Sequence, residues 1–245
     1  MSESKSPKET HVKFYPRSGL DAAHRFFAGT ASTYNLTVHF WTLGLDWWWK
    51  KRIIDKIPRA VQCILDQGCG TGILTVRMAR RFPTSRVIGV ELHQDYISLA
   101  AKKAKALGLD NVKLIIGRAE DVVLRDRFDC ITSSYLSKYA EMGKLIRGAK
   151  KMLRKGGLLI MHDFTYPRNR IVACSLGIYF RMMRTFGRFG FPQWEKAFYE
   201  LEDYIRQSSW VTDLISSLDR HGFVNIRIDR LTLGFATIVS AKSKN

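Results

Sequence analysis

The chain has little cysteine: four residues in 245, at Cys63, Cys69, Cys130 and Cys174. They form no Cys-x-x-Cys pair and no spacing suited to zinc, so no metal site is expected. Reduced thiols in a cytosolic protein are the expected state. Long hydrophobic runs are missing too. The longest apolar stretch, Ile171 to Phe180, is bounded by Arg170 and Arg181 and falls short of the ~18–20 residues of a spanning helix. Met1 to Thr10 is polar and mixed in charge, without the apolar segment of a signal peptide. A cytoplasmic protein is expected, free or peripheral on the inner face of the membrane. Acidic residues are scarce as well: 22 Asp and Glu against 40 Lys and Arg, formally +18. Such a field favours nucleic acid, an acidic lipid surface or an anionic substrate, and decides nothing about fold.

Apolar residues make up 46% and charged residues 25%, as in a globular protein with a sizeable core. Residues 1–20, with Lys5, Lys8, Lys13 and Arg17, read as a flexible basic arm. Residues 21–245 read as a single domain. Its first part, 21–58, is an aromatic-rich helical cap containing the run Trp47–Trp49, expected to pack rather than meet a membrane interface.

From Val61 short apolar runs alternate with helical stretches. Strands are expected at Val61–Leu65, Arg86–Glu91, Val112–Ile116, Phe128–Ser133 and Leu158–Met161. Helices are expected from the glycine turn to Arg81, over Tyr96–Leu107 and over Lys144–Leu153, the last stopped by Gly156-Gly157. This alternation predicts a parallel sheet covered on both faces. Residues 165–210 interrupt it with a basic, aromatic helical insertion, read as a lid. A helix over Val211–His221 then precedes strands at Val224–Asp229 and Phe235–Ala241, whose short link calls for antiparallel pairing. The expected architecture is α/β and Rossmann-like, with seven strands, mostly parallel, and a C-terminal antiparallel hairpin.

The informative motif is Leu65-Asp66-Gln67-Gly68-Cys69-Gly70-Thr71-Gly72. Strand, glycine turn and helix together make a nucleotide-binding turn in which the backbone approaches a ligand closely. A dinucleotide site wants Gly-x-Gly-x-x-Gly, but position 73 is Ile73, and no Lys-Ser pair makes a P-loop. Gly-x-Gly-x-Gly after an acid is the pattern of class I methyltransferases, whose ligand, S-adenosylmethionine, has no phosphate. Glu91, followed by Leu92, ends the second strand where a carboxylate accepts both ribose hydroxyls. Gly117-Arg118-Ala119-Glu120-Asp121 follows the third strand, at the usual position of the adenine loop. Asp66, Gly68, Gly70, Thr71, Gly72, Glu91, Leu92, Arg118, Ala119, Glu120 and Ser134 are the expected cofactor residues.

From about Phe27 to the C-terminus the chain resembles the ubiquinone/menaquinone biosynthesis C-methyltransferases. Phe27, Ala31, Ser32, Tyr34, Gly44 and Trp49-Lys50 fall at that family's spacing. Its Tyr-Asp-x-Met-Asn signature reads Tyr34-Asn35-Leu36-Thr37-Val38 here. A second signature lies over Lys151 to Thr165, with Glu-Phe-Ser replaced by Asp163-Phe164-Thr165, and Leu231-Thr232-x-Gly234 closes the likeness. The resemblance implies cofactor contacts at Thr71, Glu91, Arg118 with Ala119, and Ser134. Its Arg-Asn pair, placed near the quinone ring, falls on Lys138-Tyr139, a point charge where a planar fork would be. The departures concentrate on the methyl-acceptor side.

The resemblance thus implies methylation of a lipophilic or aromatic small molecule, with ring C-methylation of a hydroquinone as the leading reading. Alternatives are another acceptor (a phospholipid amine, a sterol or a phenolic natural product), an RNA base, or a cofactor-binding fold without turnover. Against RNA, strand four ends in Ser133-Ser134-Tyr135-Leu136, not the (Asn/Asp)-Pro-Pro-(Tyr/Phe) of amine methylation, and no Pro-Cys is present. Ring methylation profits from a base, or from a cation that lowers the acceptor hydroxyl's pKa. Lys138, Tyr139, Tyr34, His39 and His162 are the candidates. The insertion carries Arg168, Arg170, Arg181, Arg184 and Arg188 among apolar residues including Met182, Met183 and Phe186. It reads either as a helix lying on an anionic bilayer or as a lid with a solvated basic face.

Overall fold

The computed structural model describes residues 19–244. The basic arm therefore falls outside the described residues, except that Gly19 and Leu20 already begin the first helix.

The central sheet is built from β1 (Cys63–Gln67), β2 (Arg86–Glu91), β3 (Val112–Ile116), β4 (Phe128–Ser134), β5 (Leu153–Phe164), β6 (Phe223–Leu231) and β7 (Ala236–Ser243) in the order β3-β2-β1-β4-β5-β7-β6. The first five are parallel, and β7 runs antiparallel between β5 and β6. The expected hairpin is present, inserted with its second strand inward.

Strand β1 is buried along its whole length, as a central parallel strand must be. Its side chains alternate: Cys63 and Leu65 face one core, Ile64 the other. The first core is closed by α6 (Met142–Met152) and α9 (Trp210–Arg220), through Leu145, Ile146, Leu214 and Leu218. The second is closed by α3 (Leu45–Lys56) and α4 (Ile73–Arg81), through Trp49, Ile53, Leu74 and Met78. Helix α5 (Gln94–Ala106) links β2 to β3.

A third core lies at the carboxyl edge of the sheet. There α1 (Gly19–Phe27), α2 (Ala31–Trp41), α7 (Arg170–Gly190) and α8 (Glu195–Gln207) meet through Phe26, Trp41, Phe180 and Phe198. Asn169 starts α7 by accepting from the amides of Ile171 (2.9 Å) and Val172 (3.2 Å), which satisfies two otherwise unpaired donors. Helix α8 packs directly onto α7 at Gly187, where a Cβ would come within 2.5 Å of the Phe198 ring.

Two expectations need correction. Gly156-Gly157 does not separate a helix from a strand: β5 already pairs at Leu153 with Phe128, and pairing resumes at Leu158 with Cys130. The four residues between form a bulge in which Gly156 takes a φ of 72°, a conformation natural to glycine. The tryptophan run is split by helical phase. Trp49 is fully buried and donates its indole N–H to Thr232, whereas Trp47 and Trp48 are exposed.

Candidate active site

The carboxyl ends of β1, β2, β3 and β4 open into one cleft of about 720 Å³, where parallel α/β sheets bind their ligands. Gly68, Gly70, Glu91, Leu92, Arg118, Ala119, Glu120 and Ser134 line it. Gly70 takes a φ of 57° and its amide donates to Glu91 Oε2 at 2.8 Å. Gly72, at φ 78°, starts α4, and a Cβ there would stand 2.8 Å from that of Ala100. Its lack of a side chain therefore serves helix packing, and it lines no part of the cleft.

Glu91 is almost buried, and its other oxygen accepts from the amide of His93 at 2.9 Å. A carboxylate offers about four acceptor positions, and the His93 ring nitrogen also lies 3.3 Å from the second oxygen, so Glu91 is rigidly held and accepts two hydroxyls only when one of them takes the place of that ring contact. Asp66, by contrast, turns into the sheet. It accepts hydroxyl bonds from Thr75 (2.6 Å) and Thr132 (3.0 Å), and burial pushes its pKa up to about 6. Asp66 and Thr71 border a smaller adjoining cavity. Thr71 donates to Asn35 Oδ1 at 2.5 Å, tying the turn to α2. The Arg118 guanidinium lies against the carboxylate of Glu120 at 3.2 Å, so its charge is neutralised at the cleft wall.

A second cavity, also of about 720 Å³, lies beside the first among α1, α2, α7 and α8. Phe27, Tyr34, Tyr135 and Tyr139 line both. The second is almost wholly apolar and aromatic, and among the described residues Lys138 is the one charged residue lining it. Lys138 and Asp163 form an ion pair at 2.5 Å, with side chains 1% and 0% exposed. The Asp163 carboxylate also accepts the Lys138 amide at 3.1 Å. Burial pulls the Lys138 pKa down, opposed by Asp163. The ammonium stands 4.4 Å from the Tyr139 ring centre and 5.3 Å from that of Phe164, favourable cation–aromatic distances.

Between the two cavities stands Tyr135, whose φ of 68° is unusual for a residue with a side chain. Its amide donates to His162 O at 2.9 Å, its hydroxyl donates to Asp46 at 2.7 Å, and its ring stacks on Phe164 at 4.7 Å. Such over-determination is what maintains strained backbone at a functional site. Burial would raise Asp46, but a buried ion pair with Lys50 and the Tyr135 hydroxyl hold it below the ordinary range.

Of the expected catalytic residues, the structure brings Tyr34, Lys138 and Tyr139 together. Burial raises the phenol pKa of Tyr34 and Tyr139 well above the usual value, so both stay neutral donors near pH 7 rather than bases. His162 is fully buried behind the cavities. Its Nδ1 meets Ser134 Oγ at 3.0 Å, and burial, aided by the Lys50 charge, pushes its pKa down to about 3. His39 lies on the exposed side of α2 and borders neither cavity. Tyr135, Asp46 and the role of Asp163 escaped the sequence reading. One signal was available for Asp163: parallel β4 and β5 pair Ser134 with His162, which sets the residues after both strands side by side.

A family profile described as a methyltransferase domain matches residues 61–189. The chain is similar to demethylmenaquinone methyltransferase of Lactobacillus johnsonii, with 27% identity over 227 residues, covering 88% of this chain and 90% of the relative. The ubiquinone/menaquinone biosynthesis C-methyltransferase UbiE of Escherichia fergusonii is 29% identical over 171 residues, covering 66% and 68%. Among solved structures, geranyl diphosphate C-methyltransferase of Streptomyces coelicolor, bound to Mg²⁺, geranyl diphosphate and S-adenosyl-L-homocysteine, superposes with a TM-score of 0.61. It is 17% identical, over 81% of this chain and 79% of that one.

Fold, glycine turn and matches together define an S-adenosylmethionine-dependent methyltransferase. More particularly, the chain belongs to the family of that methyltransferase domain.

Proposed function

We propose that this methyltransferase acts on a lipophilic aromatic acceptor, and that its reaction is C-methylation of a hydroquinone ring. The observation that carries the reading is the apolar cavity, which shares Phe27, Tyr34, Tyr135 and Tyr139 with the cleft and, among the described residues, has Lys138 as its one charged lining residue. The relatives named as quinone-pathway C-methyltransferases support it.

The cleft fits S-adenosylmethionine. Glu91 keeps acceptor capacity for a ribose diol, the Ala119 amide side of the cleft suits an adenine edge, and Arg118 is already paired, as a ligand without phosphate requires. Gly68, Gly70, Leu92, Glu120 and Ser134 complete the wall, while Asp66, Thr71 and Gly72 shape the turn from behind. When bound, this cofactor supplies an electrophilic methyl group on a sulfonium.

Lys138 is the acceptor-side residue. Its ammonium, oriented by Asp163, lowers the pKa of an acceptor hydroxyl and stabilises the phenolate that pushes charge onto the ring carbon. Tyr34 and Tyr139 donate to or pack against the ring, and the aromatic walls exclude water. The acceptor's hydroxyl proton would pass to solvent beforehand; the ring carbon would then take the methyl, leaving the sulfur as a neutral thioether, and the ring C–H proton would return to the ring oxygen as aromaticity is restored. Ser134, held by His162, faces the cofactor side.

The residues 165–210 act as a lid over the acceptor. No described helix is long and apolar enough to cross a membrane, and helix α7 shows solvent a single apolar stripe of Ile171, Ile178, Met182, Phe186 and Phe189. This stripe suits contact with the inner face of a bilayer, where a lipophilic acceptor partitions. The test is incubation with labelled cofactor and a lipid extract. Label is expected in a lipid-soluble ring compound; label confined to RNA contradicts the reading.

A further inference from the structure

A large surface cavity takes no part in the chemistry above. It opens between the segment following β5, the junction of α8 and α9, and the turn from β6 to β7, with a volume of about 1290 Å³. Arg168, Arg206 and Arg230 line it together with Ser208, Ser209 and Thr212, and no carboxylate among the described residues does.

Nearby acid offsets this charge only in part: the cavity-lining Ser209 hydroxyl donates to Asp213, in the first turn of α9 (Trp210–Arg220), at 2.5 Å. Glu202 is buried and already shared between Arg206 (2.6 Å) and Arg184 (3.2 Å). Arg206 is further fixed by donating to the Tyr166 hydroxyl at 2.7 Å. Arg168 and Arg230 are exposed and form no ion pair among the described residues. The first turn of α9 lines the same cavity and adds backbone donors of its own. The rim is apolar and faces water: Leu233 is 80% exposed, and Ile171, two residues beyond the cavity-lining Asn169, is 78% exposed. From Ile171 the apolar stripe of α7 continues. On the inner side Ile205 borders both this cavity and the apolar acceptor cavity.

Clustered guanidinium groups match the oxygens of a phosphate group, and exposed aliphatic side chains beside them match the acyl boundary of a bilayer. We propose that this cavity binds the phosphate of an anionic lipid headgroup and seats the enzyme with its acceptor cavity against the membrane. The inference rests on the proposed lipophilic acceptor and extends it to the membrane partner.

The test uses the full chain and vesicles of phosphatidylcholine alone or with phosphatidylglycerol. Wild type is expected to partition onto the phosphatidylglycerol vesicles about tenfold or more over neutral ones. The double variant Arg168→Glu/Arg230→Glu should lose that preference. A control reversing two charges elsewhere, Lys113→Glu/Arg147→Glu, should retain most of it, and all three should bind S-adenosylmethionine alike. Equal loss in both double variants would show a general field and overturn the site. So would calorimetric binding of inorganic diphosphate that depends on Arg168 and Arg230 while vesicle binding does not; the site would then serve a free anion. Methyl transfer to a detergent-solubilised hydroquinone is assayed separately. Its failure overturns the acceptor reading and leaves vesicle binding as a distinct result.

Discussion

Glu91 makes two hydrogen bonds to backbone amides, from Gly70 and His93, within its own fold. Its geometry is therefore set before any ligand reaches it, the condition under which a carboxylate discriminates well and the one the proposed ribose contact needs. Glu91→Ala should weaken S-adenosylmethionine binding roughly 100-fold by calorimetry, because two charge-assisted hydrogen bonds are lost. Lys138 calls for a pair of variants. Lys138→Ala strands Asp163 as an unpaired buried charge and should cost roughly 3–5 kcal/mol in urea unfolding. Lys138→Met with Asp163→Asn removes that charge, so stability should largely return. Turnover should nonetheless stay about 100-fold down with cofactor affinity unchanged. Recovery of turnover would make the pair structural.

His162 has a pH signature. Its pKa is about 3 in the fold against an ordinary 6.5, so between these values the unfolded chain binds a proton that the folded chain does not. The associated stability is present above pH 6.5 and lost as pH falls toward 3, on the order of several kcal/mol. Asp66 acts oppositely: raised from 3.8 to about 6, it favours the fold as pH falls through that window. The measurement is therefore a difference: urea midpoints from pH 7 to 4 should fall more steeply for wild type than for His162→Gln.

Among the elements, β2 and β3 were legible to the residue, since each is a short run rich in β-branched and aliphatic residues, interrupted in β3 only by Lys113 and bounded by turn residues. The start of β5 was not, because Gly156-Gly157 reads as a stop unless Phe128 is known to pair with Leu153. Helix α3 carried its own phase in Asp46, Trp49, Lys50, Ile53 and Ile54, which separates Trp49 from its two exposed neighbours. The glycine turn between β1 and α4 was readable because its residues are contiguous. The acceptor cavity was not, since it is assembled from α1, α2, α7 and α8, and its Lys138–Asp163 pair joins the ends of two strands. The packing of α7 on α8 yields its own prediction. Gly187→Val forces a side chain onto Phe198 and Trp41, at roughly 1–3 kcal/mol for overpacking. KM for the acceptor should rise about tenfold while cofactor affinity holds. An equal loss of both would mean that the two cavities are not separable.

In the whole molecule, the formal charge of +18 and the apolar stripe of α7 act together with the two adjacent cavities. Charge alone suits RNA as well as lipid. The structure adds an apolar chamber that shares the wall of Phe27, Tyr34, Tyr135 and Tyr139 with the cleft, which a base in a polynucleotide does not need. The measurement that tests this most directly is methyl transfer from labelled S-adenosylmethionine to a prenylated hydroquinone lacking one ring methyl, with the product located by mass spectrometry. One new methyl on a ring carbon is expected, strongly reduced by Glu91→Ala at limiting S-adenosylmethionine and by the Lys138/Asp163 double variant. Label that appears only in RNA, or hydroquinone that stays unmethylated while another acceptor is labelled, would contradict it.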